Sequence, residues 1–332
     1  MSEYKIYKLH FTTPLHLNTA RSDLGYCSNT IHSDTFYAAV TACLAKMGKD
    51  VPSDGDLGFT MTDLFPFFQR GGDEPMYFLP KPLSMKMPDA DPAMAKKIKK
   101  ISWLDLNTFT SIINGKDTFK TNNEGHLCYQ SSFYISSPKT FFDSDFMKSQ
   151  VVQRVTIESR FGHKDAKPFY VDQLSFRYDS GMYFMVVGDT TLLDKTLPFL
   201  CEEGIGTDRN VGLGKFKYTI DKIVLDLPSE SDYVMSLSLY IPESEQQLRD
   251  VLDGEMVAFN LVRRGGWITQ TKIGNFRKNA IYGFISGSVF RNNDACENGL
   301  LGKIVNLRPS ISEVGNPIWR SGRSIMIPIK II

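Results

Sequence analysis

The sequence predicts an α+β protein made of two tandem β-α-β-β-α-β units, and three observations carry that prediction. Its 332 residues exceed what one hydrophobic core usually serves, so two units are expected. Strand-like alternation and helical spacing follow each other in the order β, α, ββ, α, β over the first two thirds. Beyond the short, polar, proline-containing stretch LPSESD at 227–232, the pattern restarts with a strand, a helix and further strands.

Taken in order, 4–11 alternates, with Tyr7, Leu9 and Phe11 on one face and Ile6, Lys8 and His10 on the other, which reads as a half-buried strand. SDTFYAAVTACLAKMG places Phe36, Val40, Cys43, Leu44 and Met47 at helical spacing, with Ser33 as N-cap and Gly48 as the C-terminal stop. From about 51 to 165 the patterning is irregular, rich in Pro and Gly clusters, and reads as insertions on a core fold. PFYVDQLSFRYDSGMYFMVVG reads as two strands joined by the turn DSG, a hairpin. TTLLDKTLPFLCEE is an apolar-periodic helix, GIGTDRNVGLG a glycine loop and KFKYTIDKIVL a strand. In the second unit VMSLSLYI, MVAFNLVRR, AIYGFISGSVF, GKIVNL and RSIMIPIKII are β runs. PESEQQLRDVLDG is a helix with Pro242 at its start. A β-α-β-β-α-β order belongs to ferredoxin-like, RRM-like folds, so the expected domains are 1–228, with the glycine loop at 204–214, and 229–332.

Composition excludes several classes. With 38 basic and 37 acidic residues there is no global field for a polyanion, so any nucleic-acid site must be a local patch. The five cysteines, at 27, 43, 128, 201 and 296, are odd in number and form no C-x-x-C, against a disulfide framework or a zinc site; no cofactor is expected. The start MSEYKIYKLH is charged where a signal peptide is apolar, and no run of about 18 apolar residues is present. A cytoplasmic protein without membrane contact is the expectation.

Four glycines in eleven residues make 204–214 the most distinctive local feature. Arg209 stands where the dinucleotide fingerprint and the P-loop each need glycine, and Phe216 stands where the P-loop needs Ser or Thr, so nucleotide hydrolysis is not expected. Arg209, Asn210 and Lys215 add donors suited to phosphates and base edges; a plain helix-to-strand connection would use the same glycines. His32, ahead of a helix N-terminus, reads as a phosphate contact, a general base, or a polar group ordering the loop entry. Arg154 and Arg160 flank RVTIESR in a basic hairpin that could straddle a single strand or be a solvated surface element. LVRRGGWITQTK and FRKNAIYG set Arg263, Arg264, Lys272, Arg277 and Lys278 among aromatics, a pattern that serves base stacking and phosphate contact as well as a core strand. No paired nucleophile and base and no metal-ligand spacing is present, so neither catalytic nor metal residues are expected.

HFTTPLHL and IHSDTFYAAV near the start, GIGTDRNVGLGKF, and LVRRGGWI, ISGSVF and NPIWRSG in the last third together resemble the RAMP superfamily of CRISPR proteins. The match is to the subunit of the type III-A (Csm) effector complex that caps the guide-RNA 5′ end, and it runs from Tyr4 almost to the C-terminus. The resemblance implies a non-catalytic subunit that grips the 5′ handle of the CRISPR guide RNA (crRNA). It also implies docking on the large polymerase-domain subunit and against the first backbone RAMP subunit, in antiviral defence. By carry-over, Gly204, Gly206, Gly212 and Gly214 with Arg209 and Lys215 would line the handle, His32 and Ser33 would sit beside it, and Arg154 and Arg160 fall where the family has a thumb-like hairpin. Two other functions fit the sequence: a crRNA-processing endoribonuclease using His32, and a structural adaptor without RNA contact.

Overall fold

The computed structural model describes residues 1–17, 27–85, 96, 98–116, 132–136, 142–157, 166–268, 276–293, 299–311 and 313–331. The first half contains β1 (Ser2–Phe11), α1 (Ser33–Lys46), β2 (Phe59–Met61), β3 (Phe65–Phe68), β4 (Met76–Pro80), β5 (Trp103–Asp105), α2 (Leu106–Ile113), β6 (Phe133–Tyr134), β7 (Met147–Ile157), β8 (Ala166–Phe176), β9 (Gly181–Gly188), α3 (Thr191–Glu203) and β10 (Phe216–Leu225). The second contains β11 (Tyr233–Ser236), α4 (Glu245–Leu252), β12 (Leu261–Arg264), β13 (Ile281–Phe284), β14 (Val289–Arg291), β15 (Leu300–Leu301), β16 (Ile304–Asn306), β17 (Trp319–Ser321) and β18 (Ser324–Pro328).

The fold is mixed α+β. One sheet runs β10-β1-β9-β3-β4-β5-β6, with β2 also paired to β9; a second runs β14-β11-β18-β15. β1 is an inner strand of the first sheet, next to the β10 edge and antiparallel to β10 and β9, and it sends buried side chains to both faces. Tyr7 and Leu9 pack under α1 and α3 with Phe36, Val40, Leu44, Phe184, Leu193 and Leu197. On the opposite face Ile6, Phe65, Phe67, Tyr183 and Met185 share a core with Met235, Leu237, Val289, Ile325 and Ile327 of the second half. At about 1.5–3 kcal/mol for each large apolar side chain removed from water, this shared core couples the two halves.

Several expectations are corrected. The runs on either side of DSG both form strands, yet they do not pair. β8 pairs along its whole length with β7, whereas β9 enters the main sheet beside β1 and β3. The strand partnering β9 comes from 59–68, inside the stretch read as insertion. FTM and FPFF are buried on both faces, which removes the alternation that marks a half-exposed strand. β1 is half-buried as expected, with Tyr7 and Leu9 buried on one face, and on the other Ile6 buried while Lys8 and His10 stay partly exposed. In α1 the N-cap is His32 without a side-chain cap bond, while Ser33 is the first helical residue. The helix stops at Gly48 as expected, with φ +66. Helix α4 is capped by Ser244, whose hydroxyl accepts from Gln247 N–H, so Pro242 precedes it. Among the described residues the second half contributes one α-helix, α4.

Candidate nucleic-acid interface

The glycine loop leaves α3 at Gly204 and returns to β10 through a pinned neck. Ile205 N–H donates to Gly214 O at 3.0 Å, Gly214 N–H to Pro14 O at 2.8 Å, and Thr207 N–H to His16 O at 2.9 Å. Close approach explains the glycines. A Cβ on Gly214 would lie 1.8 Å from Ile205 O, one on Gly204 2.7 Å from Leu213 O, and one on Gly206 2.6 Å from His16 O. Gly212 stands in open space at φ +87 and closes a 3-10 turn over Arg209–Val211. The loop therefore has a rigid stem and a projecting tip, with Asn210 exposed, Val211 67% exposed and Arg209 half-buried. Lys215 Nζ lies 3.4 Å from Glu202 on the exposed side.

The β7–β8 hairpin touches this tip. Arg154 Nη1 donates to Asp208 Oδ2 at 2.9 Å, so one predicted residue is tied to the loop that carries six others. Arg160 lies outside the described residues. The outer face of the hairpin presents Val151, Val155 and Tyr170 to solvent.

His32 and Ser33 stand at the joint between the halves, around a carboxylate that the sequence did not single out. Asp63 is fully buried and accepts from His32 Nδ1 at 2.9 Å, Ser33 N–H at 2.7 Å, Leu239 N–H at 3.3 Å and Ser286 Oγ at 3.0 Å. Ser33 Oγ also accepts from Leu239 N–H. Burial alone would lower the His32 pKa, but the Asp63 carboxylate outweighs it and raises it.

Next to Ser33 on α1, Asp34 is buried and held by two arginines from the second half. Arg264 donates through Nε to Oδ2 at 3.0 Å and through Nη2 to Oδ1 at 2.8 Å, while Arg320 Nη1 donates to the Asp34 carbonyl at 2.9 Å. Burial pushes the Asp34 carboxyl up, and Arg264 and Arg320 together hold it below the ordinary value. Arg264 thus faces inward and is engaged with Asp34, whereas Arg263, next to it on β12, is exposed. Lys278 lies in the same cluster. Burial, then Arg320, Arg264 and Arg209, bring its pKa down to about 7, with Asp34 opposing. The structure therefore brings Arg264 and Arg320 together on Asp34, two residues beyond His32. Lys278 was singled out in the sequence among basic residues interleaved with aromatics, Arg320 was visible only within NPIWRSG, and Asp34 and Asp63 carried no signal of their own.

Cys27, Cys43 and Cys201 are free and buried; Cys128 and Cys296 lie outside the described residues. Among the described residues no group of three or more His, Cys, Asp or Glu could hold a metal ion, and no helix is long and apolar enough to cross a membrane.

Residues 229–329 match the family model of the CRISPR Csm4 C-terminal domain. The chain is 27% identical over 321 residues to the CRISPR system Cms protein Csm4 of Streptococcus thermophilus, covering 91% of this chain and 93% of that one. It is 25% identical over 229 residues to the protein of the same name from Thermococcus onnurineus (strain NA1), covering 63% and 64%. In fold it is similar to a chain of the Csm3–Csm4 subcomplex of the type III-A CRISPR-Cas interference complex, with a TM-score of 0.64, 16% identity and coverage of 99% and 100%. A chain of the Csm1–Csm4 cassette in complex with cA4 is also similar, with a TM-score of 0.58, 16% identity and coverage of 100% and 99%.

Proposed function

We propose that the chain is a member of the Csm4 family of CRISPR proteins, RAMP-like subunits of type III-A effector complexes, and that it is the non-catalytic subunit gripping the crRNA 5′ handle. The observation that carries this reading is the glycine loop, whose pinned neck holds Arg209 and Asn210 on a projecting tip that Arg154 of the hairpin grips through Asp208. RNA phosphates are suited to arginine and lysine donors. Arg209, Asn210 and Lys215 on the loop, with exposed Arg263, are the proposed handle contacts, and the glycines give the loop its shape. A raised His32 pKa favours imidazolium, which donates to phosphate and has lost the lone pair a general base needs; this weighs against the endoribonuclease reading.

The strand order β10-β1-β9 followed by β2 and β3, with α1 and α3 packed on one face, supports a ferredoxin-like first unit. We divide the chain at 228/229, with a second ferredoxin-like unit over 229–332. Its partners are the large polymerase-domain subunit and the backbone RAMP subunit, a reading supported by similar chains in a Csm1–Csm4 cassette and a Csm3–Csm4 subcomplex. The assembly works in the cytoplasm.

The test is co-expression with the partner subunits and a CRISPR array, followed by sequencing of the RNA that purifies with the complex. Wild type is expected to carry crRNA with an intact 5′ handle, and Arg209→Ala/Lys215→Ala to lose the RNA or leave the handle open to nuclease. Equal protection in both complexes would remove the glycine loop from the site.

A further inference from the structure

We propose that the outward face of the β12–β13 ribbon is a base-stacking site for single-stranded RNA, in which Tyr282 carries an unpaired nucleobase and Arg263 holds the phosphate beside it. The inference rests on the RNA-binding reading above and adds to it a contact of a different kind, with a base rather than with the backbone alone.

Strand pairing fixes the two faces of the ribbon. In its antiparallel register Arg263 stands directly opposite Tyr282 and Leu261 opposite Phe284, so these four side chains share one face, while Val262, Arg264, Ile281 and Gly283 share the other. The second face is committed to the protein. Arg264 donates to both carboxylate oxygens of Asp34, and a Cβ on Gly283 would lie 2.9 Å from Cδ1 of Leu239 and 3.3 Å from Cγ1 of Ile241. On the first face Phe284 is buried, stacked on Tyr240 and met edge-on by Phe259 at a ring separation of 5.1 Å. The rest of that face is open to solvent, with Tyr282 60% exposed, Leu261 55% and Phe259 42%, and with Arg263 exposed among them. Among the described residues neither the Tyr282 hydroxyl nor the Arg263 guanidinium has a hydrogen-bond or ion-pair partner.

The chemistry of that face selects its occupant. Its one charge is the Arg263 cation, and no carboxylate stands at the outward positions of either strand to answer it. A partner must therefore bring negative charge together with a flat apolar surface, and an unpaired nucleotide brings both in one unit. Side chains directly opposite each other on paired strands have Cβ atoms about 4.5–5.5 Å apart, so the ring and the guanidinium reach the same nucleotide. Leu261, diagonal to Tyr282 across the pair, widens the apolar floor under the base. Stacking uses the π-face that every base possesses, so the site takes single-stranded RNA with little preference among bases.

The test measures binding of fluorescein-labelled oligoadenylate to the full chain by anisotropy over a salt series, alongside thermal melts. Tyr282→Ala is expected to bind about tenfold more weakly, the loss of one stacked base, with its salt slope and melting temperature unchanged, and Tyr282→Phe to bind as wild type does. Arg263→Gln is expected to lower the salt slope by about 0.7, for one single-strand phosphate contact. On a same-length oligomer of abasic spacers the difference between wild type and Tyr282→Ala should vanish, which a folding defect would not produce. Equal oligoadenylate affinity in wild type and Tyr282→Ala would overturn the proposal, and if that variant also failed to co-purify with co-expressed partner subunits the face would be a protein interface instead. A loss that persists on abasic spacers, or that Tyr282→Phe shares, would overturn it as well while leaving RNA binding intact. Absence of RNA binding by wild type at every salt concentration would instead bring down the underlying reading.

Discussion

Nδ1 of His32 lies 2.9 Å from Oδ2 of Asp63, and that carboxylate also receives N–H groups from Ser33 in the first half and Leu239 in the second. One buried charge thus fastens the start of α1 to the second half. Asp63→Ala strands several buried donors at once and is expected to cost about 3–5 kcal/mol, measured by urea unfolding of the full chain.

The same pair sets a pH dependence. The folded-state pKa of His32 is raised above its ordinary 6.5, so its stabilisation is full below about pH 6.5 and lost as pH rises through the raised value. Lys278 runs the other way. Its pKa falls from 10.5 to about 7, so its penalty is full below pH 7 and relieved toward 10.5. Wild type minus His32→Gln isolates the first effect. Their stability difference should shrink with rising pH above 6.5, and a constant difference would show that the pair stores no proton-linked energy.

Arg264 and Asp34 form a second buried joint. Arg264→Ala leaves Asp34 with Arg320 alone and is expected to cost about 3–5 kcal/mol. Arg264→Lys should recover little, since one ammonium cannot reproduce the two-pronged contact. In Asp34→Ala/Arg264→Ala the cost should fall well short of the sum of the singles, the signature of direct coupling; additive losses would contradict it.

This joint also explains what the sequence disclosed. IHSDT and RRGGW, far apart in the chain, carried much of the family resemblance, and the structure places Asp34 of the first against Arg264 of the second. Strands that alternate or abut glycine turns, such as β1 and β10, were legible from local pattern. The 59–68 strands were not, because burial on both faces makes them uniformly apolar and short. The pairing of β8 with β7 was equally hidden, since sequence adjacency favours the partner across the nearer turn. At the interface the cations could be picked out, being few against a neutral background. Their counter-ions Asp34 and Asp63 could not, because burial and pairing come from the tertiary fold alone.

Arg154 and Asp208 link the hairpin to the glycine loop across a partly exposed surface, with side chains 26% and 24% exposed. A pair so placed contributes little to global stability, and Arg154→Ala should change it by under about 1 kcal/mol. Its effect is local. Amide hydrogen exchange at 207–211 is expected to quicken in Arg154→Ala while the β1–β10 ladder keeps its protection. Unchanged exchange at the tip would mean that the neck alone orders the loop.

The four loop glycines should separate by mechanism. Gly214→Ala drives a Cβ to 1.8 Å from the carbonyl of Ile205, whose own N–H donates to Gly214 O in the neck, so relief requires the neck to open. Gly206→Ala meets the His16 carbonyl at 2.6 Å, the same carbonyl that accepts from Thr207. Gly212→Ala meets nothing within 4 Å and carries only the left-handed backbone cost at φ +87, about 1–2 kcal/mol. Thermal melts should therefore rank Gly214→Ala as most destabilised, Gly206→Ala next and Gly212→Ala least. RNA affinity per folded molecule should fall for the first two, which displace the tip carrying Arg209, and hold for the third. An equal, small penalty at all three positions would describe a loop with no packed neck, and Arg209 would then have no fixed place from which to meet a phosphate.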